Sequence, residues 1–243
     1  MKIESTSFNI FYPRIQNLRR KLFEFEDNLE SFFFTPFEGH PIPDDAPSNI
    51  PRISAKSKNG HSHMDVSQDR LSFQTNYDHR FNGEWARCLG YLNDRIIPIT
   101  KIIQTLVNNQ FLYSGLTTVI FIEHNDPINH MLKRYFDVQQ SNNPFDINLK
   151  FTYVIDEKYY INIGINNVRT YSGNANVKNV VPAYLDKINE GVVISLDIND
   201  RYGYNYIKEY NSGLVEVKEI ITKTSRVVEK NLEEIFEQGV FNL

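Results

Sequence analysis

The chain is poor in the residues that announce a chemistry. One cysteine, Cys88, stands among 243 residues, so no internal disulfide forms and a reducing cytoplasm is the default compartment. Glycine is scarce, at 11 residues. Neither G-x-G-x-x-G nor G-x-x-x-x-G-K-[ST] occurs, which excludes the common phosphate-cradling loops. There is no G-x-S-x-G elbow and no H-E-x-x-H pair. No apolar run reaches the roughly 18 residues of a membrane span. The N-terminal stretch has neither the apolar core nor the small-residue cleavage site of a secretory signal. Neither sign of charge dominates: 26 Lys+Arg face 30 Asp+Glu, for a net charge of −4. The basic field of a nucleic-acid binder is missing. Alanine is rare, with 5 residues against 27 Asn and 26 Ile. The asparagines are scattered, so AT-rich coding explains the bias better than a low-complexity tract. What remains is an ordinary soluble globular composition, 41% hydrophobic and 23% charged.

Periodicity then divides the chain. Residues 8–12 read as a short strand and 14–33 as a helix, with Leu18, Leu22, Phe25, Leu29 and Phe32 at helical spacing. Arg19, Arg20 and Lys21 come early in that helix, against the helix dipole. They read as a solvated face, with a phosphate or acidic-partner contact as the functional alternative. Five of the ten prolines fall in 35–51, which is therefore a surface-crossing loop or linker. Asn59-Gly60 is a strong hairpin signal, read as a type I′ turn. A second turn at Gln68-Asp69 makes Ile53, Val66 and Leu71 one apolar row and Ala55, Met64 and Phe73 another. A three-stranded meander over 52–58, 61–67 and 70–76 follows, because a one-residue slip destroys both rows. An amphipathic helix over about 82–108 carries Trp85, Leu89, Leu92, Ile96, Ile99, Ile103 and Leu106, with Asn82 as its cap and Pro98 expected to kink or split it.

Residues 112–123 read as a strand, and Asp126-Pro127 starts a short helix. A turn at 156–158 pairs Leu149, Phe151, Tyr153 and Ile155 with Ile165, Ile163, Ile161 and Tyr159. The stretch 171–180 is loop-like, 182–188 reads as a short helical turn, and Val192 to Ile198 alternate as a strand. Ser212 is expected to cap a long helix over 213–238. The fold class is α+β: two antiparallel meander-plus-long-helix units, with a degenerate repeat as one reading. The segments are 1–50 (strand, helix and Pro-rich loop), 51–110 (first meander and helix) and 111–243 (second β unit and C-terminal helix), expected to share one compact domain.

On Pro51-Arg52-Ile53, Gln68-Asp69-Arg70-Leu71, the Trp85 helix and Asn231-Leu232-Glu233-Glu234-Ile235-Phe236-Glu237, the chain resembles an uncharacterised, sporadically distributed bacterial protein family of similar length. The resemblance implies the architecture and no activity. By analogy it implies an accessory, regulatory or immunity-type role.

Candidate sites are few. His61 and His63 sit at strand spacing, with His79 after the third strand, and could share a metal. The register sets Lys58 and Lys56 opposite them, and ammonium groups oppose a divalent cation, so a solvated sheet face is the better reading and no metal or cofactor is assigned. Cys88 lies on the core side of its helix, as a structural thiol. His124, Asn125, Asp126 and His130 allow an acid–base pair, but a helix cap at Asn125 or Asp126 explains them more simply. No catalytic residue is assigned. The run Arg201, Tyr202, Tyr204, Tyr206 and Lys208 alternates aromatic and polar residues, which suits stacking on single-stranded nucleic acid. It belongs to a dense tyrosine set with Tyr159, Tyr160, Tyr171 and Tyr210, and its acidic flanks Asp197, Asp200 and Glu209 turn the reading toward a protein interface or core packing, ahead of a small ligand, with Arg201, Tyr202, Tyr204 and Tyr206 as binding residues. The expected function is non-catalytic binding of a protein partner, a second copy included, without membrane or nucleic acid. The alternative is a small-ligand-binding protein or enzyme with a pocket between sheet and helix, where His61, His63 and Asp65 supply polar groups.

Overall fold

A computed structural model of the chain describes residues 1–81, 83–108, 111–136, 142, 144–172 and 185–243. Its strands form one antiparallel nine-stranded sheet in the order β2-β3-β4-β5-β1-β6-β9-β8-β7. The strands are β1 (Lys2–Phe11), β2 (Glu38–Gly39), β3 (Ile53–Lys56), β4 (Ser62–Val66), β5 (Arg70–Asn76), β6 (Tyr113–Glu123), β7 (Asn148–Ile155), β8 (Tyr159–Tyr171) and β9 (Lys187–Asn199). The helices are α1 (Leu22–Leu29), α2 (Trp85–Leu106), α3 (Pro127–Tyr135), α4 (Arg201–Tyr206), α5 (Leu214–Arg226) and α6 (Leu232–Gln238).

Both meanders adopt the register their apolar rows demand. Ile53 faces Val66, Met64 faces Phe73, Phe151 faces Ile163 and Ile155 faces Tyr159. The first hairpin reaches that register by a different turn. Gly60 has φ 75° but Asn59 stays outside the positive-φ region. The last bond of the ladder runs from Ser57 N to Ser62 O at 2.9 Å, so Lys58 and His61 belong to a wider loop rather than to a strand pair.

The larger departures are non-local. The first strand is ten residues long and central, pairing with β5 on one side and β6 on the other. It stitches the two expected units into one sheet. The first helix is shorter than its periodicity implies: a 3₁₀ turn at Leu18–Lys21 precedes α1. Pro98 lies inside α2, which continues unbroken through it. The expected cap Asn82 lies outside the described residues, and Glu84 stands at the cap position. Much of 171–180 and part of 182–188 also lie outside them, while Lys187 and Ile188 are strand, not helix. Gly213 rather than Ser212 begins the C-terminal helix, and a π-helical turn at Val227–Asn231 separates α5 from α6.

Strand alternation sends Phe8, Ile10, Phe73, Leu116, Ile120, Ile163, Ile194 and Leu196 to one face. There they join Leu92, Ile96, Ile99, Val217, Ile221 and Ile235 of the helices in one core. The alternate residues make the other face polar. One rung crosses eight strands in register: Lys56, His63, Gln74, Ser7, Thr117, Asp197, Asn162 and Thr152. Its right half is knitted by hydrogen bonds, Asn162 Nδ2 to Asp197 Oδ2 at 2.9 Å and Thr152 Oγ1 to Asn162 Oδ1 at 2.8 Å. Among the described residues no helix is long and apolar enough to cross a membrane.

Candidate functional site

Where β9 ends, the chain passes through Asp200 and turns at once into α4. Asp200 is fully buried. Its carboxylate accepts from Ser114 N and from the Tyr210 hydroxyl, each at 2.6 Å. Burial raises its pKa, and the donors only partly offset this. Gly203 then lets α4 lie flat on Tyr210. A β-carbon there would meet the ring at 2.7 Å. Gly203 N also donates to Lys158 O at the turn between β7 and β8. Thus α4 is clamped from β6, from β8 and from its own following segment.

The clamp presents aromatic side chains at one end of the polar face. Phe11 of β1 stacks on Tyr113 of β6, with ring centroids 4.4 Å apart. Tyr204 lies 5.4 Å from Tyr113, and the Arg201 guanidinium lies 5.5 Å over the same ring. A second group forms on the β8 side of α4: Tyr160 of β8 meets Tyr202 at 5.3 Å, and Tyr202 meets Tyr206 at 4.6 Å. Tyr206 is 67% exposed and Tyr204 41%, with Ile207 also exposed beside them. Large aromatic surface is left in water here although α4 itself is firmly held.

The four residues singled out in the sequence lie on a short helix rather than an open alternating run, and they fall into two groups: Arg201 and Tyr204 against Tyr113, and Tyr202 and Tyr206 beside Tyr160. Tyr160 belongs to the tyrosine-rich set that the sequence shows, whereas Phe11 and Tyr113 were missed as members. The signal was present: each of the three is an aromatic on the polar phase of its strand, out of step with Phe8, Leu116 and Ile161. Periodicity alone did not show that three distant strands end at one place.

The histidines do not converge. His61 is buried in the hairpin loop, edge-on to Phe81 and Tyr91 at 4.8 and 5.9 Å. Burial lowers its pKa, with Arg80 adding to the effect and Asp78 opposing it. This corrects its expected place on the outer face, and it follows from the wider turn. His63 does lie on the outer face opposite Lys56, and its Nε2 bonds Asp65 Oδ1 at 2.9 Å. His79 is exposed in a 3₁₀ turn. Among the described residues no group of three or more His, Cys, Asp or Glu side chains is placed to hold a metal ion.

Cys88 is buried and its thiol is pushed up to about 12 by burial, so it is a poor nucleophile. Asp126 caps α3 by accepting from Asn129 N at 3.3 Å. His130 Nε2 bonds Phe236 O at 2.8 Å, which ties α3 to α6. Comparison with protein-family models, with curated proteins and with solved structures finds no match to this chain.

Proposed function

We propose that the protein acts by binding a protein partner through the aromatic end of its polar sheet face. The observation that carries this reading is the exposed Tyr204 and Tyr206 on a helix fixed by the buried Asp200. Tyrosine supplies large contact area at low entropic cost, and tyrosine and arginine are enriched among the residues that dominate the energetics of interfaces. A rigid support lowers the ordering cost of binding further. The acidic residues beside the patch and the net charge of −4 favour a protein over nucleic acid. The space between sheet and helices is filled by core side chains such as Phe8, Phe73, Leu92 and Ile96, all fully buried. That filling weakens the alternative of a catalytic pocket there.

The strand order supports a degenerate repeat. Apart from the two-residue β2 in the first half and the short α4 in the second, each half runs strand, helix, meander, helix: β1-α1-β3β4β5-α2 and β6-α3-β7β8β9-α5. Each meander's last strand pairs with its own unit's first strand, and β1 and β6 join the halves. On this reading the partner meets one face built from two copies of a unit. A reducing, cytoplasmic setting agrees with the buried Cys88 thiol. We infer an accessory, regulatory or immunity-type role by analogy with the bacterial family that the chain resembles.

The test is capture from an extract of the producing cell by the wild-type chain and by the double variant Tyr204→Ala/Tyr206→Ala. The expected result is a partner retained by the wild type and lost by a variant that melts at the same temperature. Each interface aromatic is worth about 2 kcal/mol or more when it is a hot spot. Equal retention by both proteins contradicts the reading. Light scattering of the isolated protein separates a second copy from a foreign partner.

A further inference from the structure

A second surface stands apart from the aromatic patch. The 3₁₀ turn before α1 and the proline-rich segment enclose an open cleft of about 520 Å³, lined by Asn17, Arg19, Arg20, Leu22, Ile42 and Asp44 among others. Its frame is fixed. Asn17 takes the left-handed conformation, φ 55°, and its carbonyl accepts from Arg20 N at 2.9 Å. The Asp44 carboxylate ties the two sides together, accepting from Asn17 N at 3.0 Å and from Gln68 Nε2 at 3.2 Å. Gly39 closes one wall on Leu22, where a β-carbon would lie 3.0 Å from Leu22 Cδ1.

The charge around this cleft is unbalanced. Lys21 is paired with Glu24 at 2.6 Å, but Arg19 and Arg20 have no ion-pair or hydrogen-bond partner for their side chains among the described residues. Behind the wall lies Arg52, fully buried. Its guanidinium donates to carbonyls, Ile50 O at 2.6 Å and Pro43 O at 3.0 Å among them, and its Nε has no partner. Arg14 likewise bonds Asp44 O and Gln68 Oε1 rather than a carboxylate. Two arginines, Arg19 and Arg20, therefore line the cleft against Asp44, while Arg14 and Arg52 hold the carbonyls of its lining residues Asp44 and Pro43. Asp44 is already engaged by two donors. A buried cation without an acid partner acts through low-dielectric protein, where its field is little screened.

We propose that this cleft binds a small, soluble organic phosphate. Arg19 and Arg20 would hold the phosphate groups through their planar forks. Leu22, Ile42 and Pro43 would pack against the organic body. The cleft falls within the ordinary volume range of ligand sites, about 300–1,000 Å³. The chain's net negative charge, which repels an anionic membrane surface, favours a free phosphate over a lipid headgroup.

Calorimetric titration at physiological salt tests this with ADP, pyrophosphate and adenosine. ADP and pyrophosphate should bind and adenosine should not. The double variant Arg19→Ala/Arg20→Ala, both positions being exposed, should keep its circular dichroism and lose about tenfold or more in affinity. Lys218→Ala, an exposed cation on α5, should lose nothing. Absence of heat with both phosphates overturns the proposal. So does equal affinity in the double variant, or an equal loss in Lys218→Ala. Sedimentation of the protein with phosphatidylglycerol vesicles, without any response to ADP, assigns the arginines to a lipid surface and overturns it as well.

Discussion

Asp200 links burial to the presentation of the aromatic patch. Its two strong donors, Ser114 N and the Tyr210 hydroxyl, lose their acceptor in Asp200→Ala. That loss should cost about 1–3 kcal/mol, because unpaired buried donors bear their full desolvation penalty. Asp200→Asn keeps an acceptor for Ser114 and removes the titration. The folded pKa of Asp200 is raised from 3.8. The native state therefore binds this proton more tightly than the unfolded chain does, and stability falls as pH rises from 3.8 through the folded value. Urea midpoints across the acid range should show Asp200→Asn gaining on the wild type through that window and holding a constant advantage above it. A pH-independent difference contradicts the assignment. Little of this was legible beforehand. Asp200 reads as one more acidic flank of a tyrosine run, and only the approach of β6 to the end of β9 makes it a buried clamp.

Among the elements, the proline-rich stretch was legible as a loop but not as a fixed one. Five prolines exclude a central strand or helix. They do not say that Arg52, a strand-edge cation by sequence, folds under the loop and gathers its carbonyls. Arg52→Met should cost about 3 kcal/mol or more, since several buried carbonyls lose their donor together. It should also open residues 40–51 to limited proteolysis. Arg52→Lys should fail to restore stability, because one ammonium cannot replace a planar five-donor fork. Full rescue by lysine contradicts that account. The meander registers were legible because each alternation is checked by its neighbour. Element ends were not: the turn at Asn59-Gly60 widened, and His61 moved from an outer strand face into an aromatic nest.

Across the whole molecule, local periodicity finds two units and the sheet contains one. The joint is β1, whose pairings with β5 and β6 span some 60 to 120 residues of chain, a separation that no local pattern reports. Trp85, the sole tryptophan, reinforces the joint by donating from Nε1 to Ser225 Oγ at 2.9 Å, from α2 to α5. Unfolding should therefore be one cooperative event. Trp85 fluorescence and far-ultraviolet circular dichroism should give superimposable urea transitions. Two separated transitions contradict a shared core.

The central claim is that the partner sits on the α4 aromatic patch at the end of the polar sheet face rather than on α5. The most direct measurement places a photo-crosslinking benzoylphenylalanine at Tyr206 in one protein and at exposed Lys218 of α5 in another, and irradiates each in an extract of the producing cell. The account predicts a discrete crosslinked species from the Tyr206 position and none from the Lys218 position. A species formed equally from both, or from Lys218 alone, contradicts it.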